Sequence, residues 1–393
     1  MAEIVIVSGA RTPIGKLAGS LANLSAMDLG GLAIKAALER GSIDCAEVDY
    51  VFMGHVIQAG QGQITARQAA VKAGIPMTVP ATTVNKVCLS GLNSIYLAAR
   101  MIASGDAEIV VAGGMESMTK APYLLPGARA GYRAGDGTLV DSMMYDGLFC
   151  AFDQVAMGLG TERYARANEV SRSRQDEIAA MSHERAAKAI KEGRFDEEIV
   201  KVSIPQRKGD PISFEHDEGV RAETTVESLG ALKPAFDKEG TITAGNASQI
   251  SDGGAAVIVM TKETAAKRGL TPLATIVGYG QVAGPDPSLL TQPSRATKAA
   301  LAQAGAEVKD VKLFEINEAF AAVAASSMDD LGVDSDRVNV NGGAIALGHP
   351  VGMSGARLAL TLALELRRQG GGLGVASLCG GGGQGDALAL RTQ

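Results

Sequence analysis

Short unbroken apolar runs alternate along this chain with longer segments whose apolar residues recur every three to four positions. The runs AEIVIVS (2–8), AEIVVAG (107–113), AAVIVM (255–260) and GVASL (374–378) have the length and continuity of strands buried on both faces. Between them, segments such as LNSIYLAARMIASG (92–105) and ARLALTLALELRRQG (356–370) carry the amphipathic period of helices. Strands separated by helices predict crossover connections, hence mostly parallel sheets with helices outside them.

The pattern repeats. AIKAAL (33–38) returns as ATKAAL (296–301), an offset of 263, and CLSG (88–91) returns as GMSG (352–355), an offset of 264. A glycine, a short polar stretch and an apolar strand follow each copy of the first motif. Each copy of the second opens a helical segment that leads to another strand. Two copies packed through their helices predict an α/β/α/β/α layered body. The first copy is longer by about 130 residues, from roughly 120 to 249, rich in charge, Gly and Pro. It includes PGARAGYRAGDG (126–137) and one plain helix, with Ser171 as N-cap and Gly193 as stop. An insertion of that length is more often functional than idle. The expected division is 1–119 with 250–272, an inserted loop domain at 120–249, and 273–393.

Composition adds limits. With 393 residues, 46% apolar and 20% charged, the chain can bury a large core. It has no Trp but 49 Gly, so packing relies on small aliphatic residues and close backbone approach. A net charge of −6 argues against nucleic acid as a partner. Four widely spaced cysteines, Cys45, Cys88, Cys150 and Cys379, suit a reduced compartment. No secretory pattern opens the chain, and no apolar run is read as reaching the roughly 18 residues of a membrane span. A cytoplasmic enzyme is the expectation.

Candidate chemistry sits in glycine-dense runs: NKVCLSG (85–91), INEAFA (316–321), GGAIALGHPVGMSG (342–355) and LCGGGGQG (378–385). Cys88 stands where a helix begins, so the helix dipole and free N–H groups are expected to lower its pKa. His349 lies between Gly348 and Pro350, which aims the ring. Asn317 follows a strand at the end where α/β proteins place ligands, and beside it Glu318 can orient a neighbour or cap a helix. Cys379 ends a buried strand. GGGGQG fits a dinucleotide fingerprint formally, but a strand rather than a helix follows it. No Cys or His pair has zinc-ligand spacing, so no metal is expected. Among the other histidines, His183 and His216 read as solvated, and His55 as structural.

At these motifs the chain resembles the thiolase family over its whole length, and within it the acetyl-CoA acetyltransferases. VSGARTPIGK (7–16) and GGGQGDALAL (381–390) bracket the likeness. The resemblance implies a Cys88 nucleophile acylated by an acyl-CoA with His349 accepting its proton. It implies Cys379 as the base that takes a proton from the methyl of acetyl-CoA, giving acetoacetyl-CoA. Asn317, through a water, and His349 would hold the enolate oxygen, and the N–H groups of Cys88 and Gly381 the tetrahedral intermediate. Arg221, Ser228 and Ser248 would contact CoA, with Leu148, Met157, Ala319 and Phe320 along the pantetheine. CoA thioesters are then substrates, and no cofactor is implied. A tetramer, a dimer of dimers joined through 121–142, is the family expectation. Departures are Ala156 where His is common, Gln249 for Gly, Met353 for Ala, and CGGGGQG for CIGGGMG. The rivals are a degradative thiolase for longer chains, a ketosynthase acting on carrier-protein thioesters, and a non-catalytic CoA-binding protein.

Overall fold

The computed structural model describes residues 2–206 and 208–393. In chain order its main strands are β1 (Ile4–Arg11), β2 (Tyr50–Gly54), β3 (Ala81–Val84), β4 (Val110–Ser117), β5 (Ser251–Thr261), β6 (Ala274–Ala283), β7 (Val311–Ile316), β8 (Gly372–Gly380) and β9 (Gln384–Thr392). The principal helices are α1 (Ala26–Arg40), α2 (Thr65–Lys72), α3 (Ser90–Ser104), α4 (Met157–Ala167), α5 (Arg172–Lys191), α6 (Gln292–Ala304), α7 (Ala321–Leu331) and α8 (Ser354–Arg368).

The strands hydrogen-bond in the order β7-β8-β9-β6-β1-β5-β4-β2-β3. Read from each end, the halves match. β2 pairs parallel with β4 as β7 does with β8. β4 pairs antiparallel with β5 as β8 does with β9. β5 pairs antiparallel with β1 as β9 does with β6. The halves join along a short seam, Ile4–Ile6 against Ala274–Ile276. The sequence repeat is therefore a repeat of topology. The expectation of mostly parallel pairing is corrected, because β1, β5, β6 and β9 form an antiparallel middle and only the outer strands pair parallel, and the two half-sheets are continuous at this seam.

Three apolar cores define the layers. One lies between α1, α2 and the first half-sheet, through Ile34, Ala37, Ala69, Val51 and Ile258. A second lies between α6, α7 and the other half-sheet, through Ala300, Ala324, Phe314 and Val375. The third, central core packs α3 and α8 against both half-sheets, through Leu92, Ile95, Leu358, Leu362, Val257 and Ala376. The central position explains α8, whose residues from Ser354 to Leu366 are all buried. It also accounts for one apolar segment. Val87–Ser104 is long and apolar enough to cross a bilayer by length and composition, and half of it is buried inside the fold. Its apolarity is spent on two sheets at once.

The helix starts of the two repeats meet backbone to backbone. A Cβ at Gly91 would stand 2.9 Å from the Ala356 nitrogen, and one at Gly355 would run into the Leu92 nitrogen. A Cβ at Gly114 of β4 would strike the Gly352 carbonyl. Only glycine permits this crossing.

Between β4 and β5 the chain forms three short hairpins, α4, α5 and the short helix Val226–Gly230. Helix α5 is capped by Ser171, which accepts from Arg174 N, and ends before Gly193 at φ 67°. This stretch is anchored by fully buried Arg11. Its Nε meets Glu198 at 2.7 Å and its Nη atoms meet Asp217 at 2.7 and 2.9 Å. Thr361 of α8 donates to the other Glu198 oxygen at 2.9 Å. The two carboxylates keep the desolvated guanidinium charged, and losing one partner would leave a buried charge unpaired.

Gly355→Ala is expected to destabilise the protein by about 2 kcal/mol or more through overpacking at a backbone contact. Urea unfolding measures it, and an unchanged midpoint would show that the crossing tolerates a methyl group.

Candidate active site

Cys88 precedes α3 in a tight turn. Val87 holds φ 50°, a left-handed conformation that costs a β-branched residue energy. The turn is locked by its neighbours. Ser90 Oγ donates to Val87 O at 2.6 Å, Lys86 N donates to Ser90 Oγ at 2.8 Å, and Val87 N donates to Asn85 Oδ1 at 3.1 Å. The backbone N–H groups of Cys88 and Gly381 reach the thiol. Gly381 belongs to the turn after β8, whose last residues are Cys379 and Gly380. Strand β8 thus brings the second sulfur and a backbone donor to the first.

His349 comes from the loop before α8. Gly348 takes φ 111°, and a Cβ there would press on Ser251 Oγ at 2.5 Å. The ring Nδ1 lies 2.5 Å from Ser354 Oγ, which donates to Pro350 O at 3.0 Å. Asn317 Nδ2 approaches Nε2 at 3.3 Å. Each ring nitrogen thus has a neighbour, the Ser354 hydroxyl at Nδ1 and the Asn317 amide at Nε2, and the two hold the ring's orientation. The loop itself is pinned by Glu116, which accepts from Val56 N at 3.0 Å, Ile57 N at 3.2 Å and Gly352 N at 3.0 Å. His55 lies buried against that carboxylate at 3.3 Å and against Thr65 at 2.9 Å, as a structural residue.

Cys88, His349, Cys379 and Gly381 line one cavity of about 460 Å³. Leu148, Met157, Ser248, Ala319 and Phe320 line it too, with Ala156 and Gln249. Asn317 does not reach its wall. The residue is fully buried, behind His349, and its Oδ1 has no partner among the described residues. Arg221 and Ser228 open instead on an adjoining cavity of about 290 Å³, which shares Ala244 and Gln249 with the first. Ser228 is already engaged in the capping box of Val226–Gly230. Cys45 and Cys150 stand outside both linings, and among the described residues no cluster of metal-ligating side chains occurs.

The electrostatics correct one expectation. Burial pushes the Cys88 thiol up to about 12, against the opposing pull of the Cys88 and Gly381 N–H groups. The helix start does not win, because desolvation of a thiolate outweighs a dipole effect of about 1 kcal/mol. Burial also raises Cys379, and nearby Cys88 adds to the rise. Burial, then the Arg357 charge, lowers His349 to about 3. Resting groups are thiol, imidazole and thiol, all neutral.

Several contributors escaped the sequence reading. His183 is not solvated but buried, and Arg221 N donates to its Nδ1 at 3.1 Å. Gln249 spans three carbonyls, Gly219, Ile345 and Ala346, at 2.9–3.2 Å. Ser354 had a signal, since it occupies the repeat position of Ser90. Glu318 does orient neighbours, accepting from Ser182 Oγ at 2.7 Å, Asn339 Nδ2 at 2.9 Å and Ile345 N at 3.1 Å.

The family models for the thiolase N-terminal domain and the thiolase C-terminal domain match residues 4–263 and 270–392. The chain belongs to the thiolase family. An acetyl-CoA acetyltransferase of Cupriavidus necator is 54% identical to this thiolase over 100% of both chains. One of Escherichia coli is 51% identical over 100% of this chain and 99% of the other. The crystal structure of a Bacillus anthracis acetyl-CoA acetyltransferase superposes with a TM-score of 0.97 at 41% identity, covering 100% of this chain and 99% of that one.

The raised thiol of this thiolase sets a pH dependence. Alkylation of Cys88 by iodoacetamide is expected to climb about tenfold per pH unit between pH 7 and pH 10, because the thiolate fraction keeps growing below the raised pKa. Mass spectrometry of the labelled peptide reads the rate, and a plateau below pH 8 would reveal a resting thiolate–imidazolium pair instead.

Proposed function

We propose that this thiolase is an acetyl-CoA C-acetyltransferase, condensing two acetyl-CoA reversibly to acetoacetyl-CoA and CoA through acetyl-Cys88. The observation that carries this reading is the meeting of two thiols, Cys88 half-buried and Cys379 buried, in one cavity beside an imidazole held by Ser354 and Asn317. Hydrolysis or simple acyl transfer would need only one thiol. A second, poised as a base, suits carbon–carbon bond chemistry.

The resting protonation states give a closed proton inventory. Cys88 Sγ attacks the acetyl carbonyl and its proton passes to His349 Nε2. The oxyanion faces the N–H groups of Cys88 and Gly381. The C–S bond to CoA breaks, and Cys379 protonates the departing sulfur. The site then holds acetyl-Cys88, an imidazolium and a Cys379 thiolate. Burial that raises a thiol's pKa makes its thiolate a stronger base. That thiolate takes a proton from the methyl of a second acetyl-CoA. The enolate oxygen is stabilised by the imidazolium, which Asn317 helps to hold. The carbanion attacks the Cys88 thioester, the C–S bond breaks, and the imidazolium returns its proton to Cys88.

The cavity wall supports a short acyl group. Met157, at the start of α4, and Val87, Leu148 and Phe320 crowd the surroundings of the sulfurs with side chains. Cytoplasmic location and a homotetrameric assembly belong to the same proposal. Four free cysteines support the first. The second is supported by the exposed edge strand β3 and by Tyr123, Leu125, Tyr132 and Leu139, exposed within 121–142.

Incubation with acetyl-CoA is expected to leave one acetyl group on the protein, absent from Cys88→Ala. Cys379→Ala is expected to form the adduct yet lose condensation by about 10³-fold or more. Loss of the adduct on removing Cys379 alone would reverse the two roles. Thiolysis is expected to favour acetoacetyl-CoA over 3-ketohexanoyl-CoA, and a steep rise with chain length would mark a longer-chain enzyme.

A further inference from the structure

We infer that His183 is a positioning residue for the nucleotide end of CoA, acting through the backbone of Arg221. The inference rests on the CoA-dependent reading above and names what orders that part of the site.

Helix α5 carries His183 with its side chain buried at 3% exposure, although the helix belongs to a charged, polar stretch. Nδ1 accepts from Arg221 N at 3.1 Å, so Nε2 carries the ring proton. Burial, then the neighbouring Arg221 charge, lowers the ring to about 4. The imidazole is therefore neutral at physiological pH and its acceptor lone pair stays available.

Arg221 lies on a loop whose start is fastened. Glu218 N donates to Ile14 O at 2.9 Å, and Gln249 Nε2 donates to Gly219 O at 3.1 Å. The His183 contact is the next fastening, and beyond it Thr224 N closes a turn on Arg221 O at 3.2 Å. The side chain of Arg221 is exposed and stands at the adjoining cavity with His183, Thr224 and Ser228. That cavity continues from the catalytic one past Ala244 and Gln249, and it offers the phosphate-bearing end of a CoA a way out that is lined by a guanidinium once the thioester reaches Cys88. A guanidinium on a fastened backbone loses less freedom when it meets a phosphate or an adenine face. The preceding residue of the same helix, Ser182, holds Glu318 beside Asn317 at 2.7 Å. One turn of α5 thus touches both the nucleotide loop and the support of the catalytic imidazole.

The test compares acceptor thiols in acetoacetyl-CoA thiolysis, CoA against pantetheine, its nucleotide-free fragment. His183→Leu removes the acceptor. It is expected to raise KM for CoA about tenfold, the worth of one buried hydrogen bond, while kcat and the KM for pantetheine move less than about threefold. His183→Asn places Oδ1 near the position of Nδ1 and is expected to keep KM for CoA within about threefold of the wild type. His183→Gln, whose acceptor lies farther out, is expected to behave like His183→Leu. Should His183→Leu fail to fold, the Asn and Gln pair decides. Equal losses with both thiols, no loss with either, or an Asn variant no better than Gln would overturn the inference. A wild-type enzyme without thiolysis activity would instead overturn the functional reading beneath it.

Discussion

Two helices beginning against each other constrain everything else in this protein. At the crossing of α3 and α8, Gly91 and Gly355 let the backbones touch, and Gly114 lets β4 approach the Gly352 carbonyl. Any side chain there would hold the repeats apart. Because Cys88 lies just before one helix and His349 just before the other, contact between the helix starts brings both residues to one cavity. The β8 strand, packed beneath α8, then delivers Cys379 and Gly381. Duplication thus does more than enlarge the core. It aims chemistry from two copies at one point.

The same burial sets the electrostatic character of the site. A sulfur at a helix start on a protein surface would be acidic, but here desolvation dominates and leaves a neutral thiol. Desolvation pushes the imidazole the other way, toward neutrality as well. No charge has to be stored in the resting cavity. Charges arise in pairs during the reaction, close enough to stabilise each other. The contacts of Ser354 and Asn317 fix the orientation of the ring, which the loop held by Glu116 and Gly348 presents to the cavity.

Much of the fold was legible, because its signals are local. The apolar runs, the two helix patterns and the 263-residue offset mark the strands, the helices and their duplication before any contact is known, but not the antiparallel pairing at the middle of the sheet. Cys88, His349 and Cys379 were legible as candidates because each sits among small residues that allow close approach. Other positions misled for one shared reason: their surroundings come from distant chain. His183 lies in a polar helix and is nevertheless buried. Arg11, in an ordinary apolar strand, meets carboxylates roughly two hundred positions away. Val87–Ser104 has membrane-like composition because two half-sheets cover it. Asn317 was expected to reach the enolate oxygen through a water, and the structure places its amide against the imidazole, outside the cavity lining.

By itself, the sequence determined which segments are strands and helices, that they occur twice, and which few side chains have the chemistry for acyl transfer. Those properties follow from the 2.0 and 3.6 residue periods and from glycine's lack of a side chain. Only the tertiary structure decided protonation, ring orientation and the split between the catalytic and adjoining cavities. These depend on desolvation and on hydrogen bonds between residues far apart in the chain, and both are set by the packing of layers rather than by neighbours in sequence.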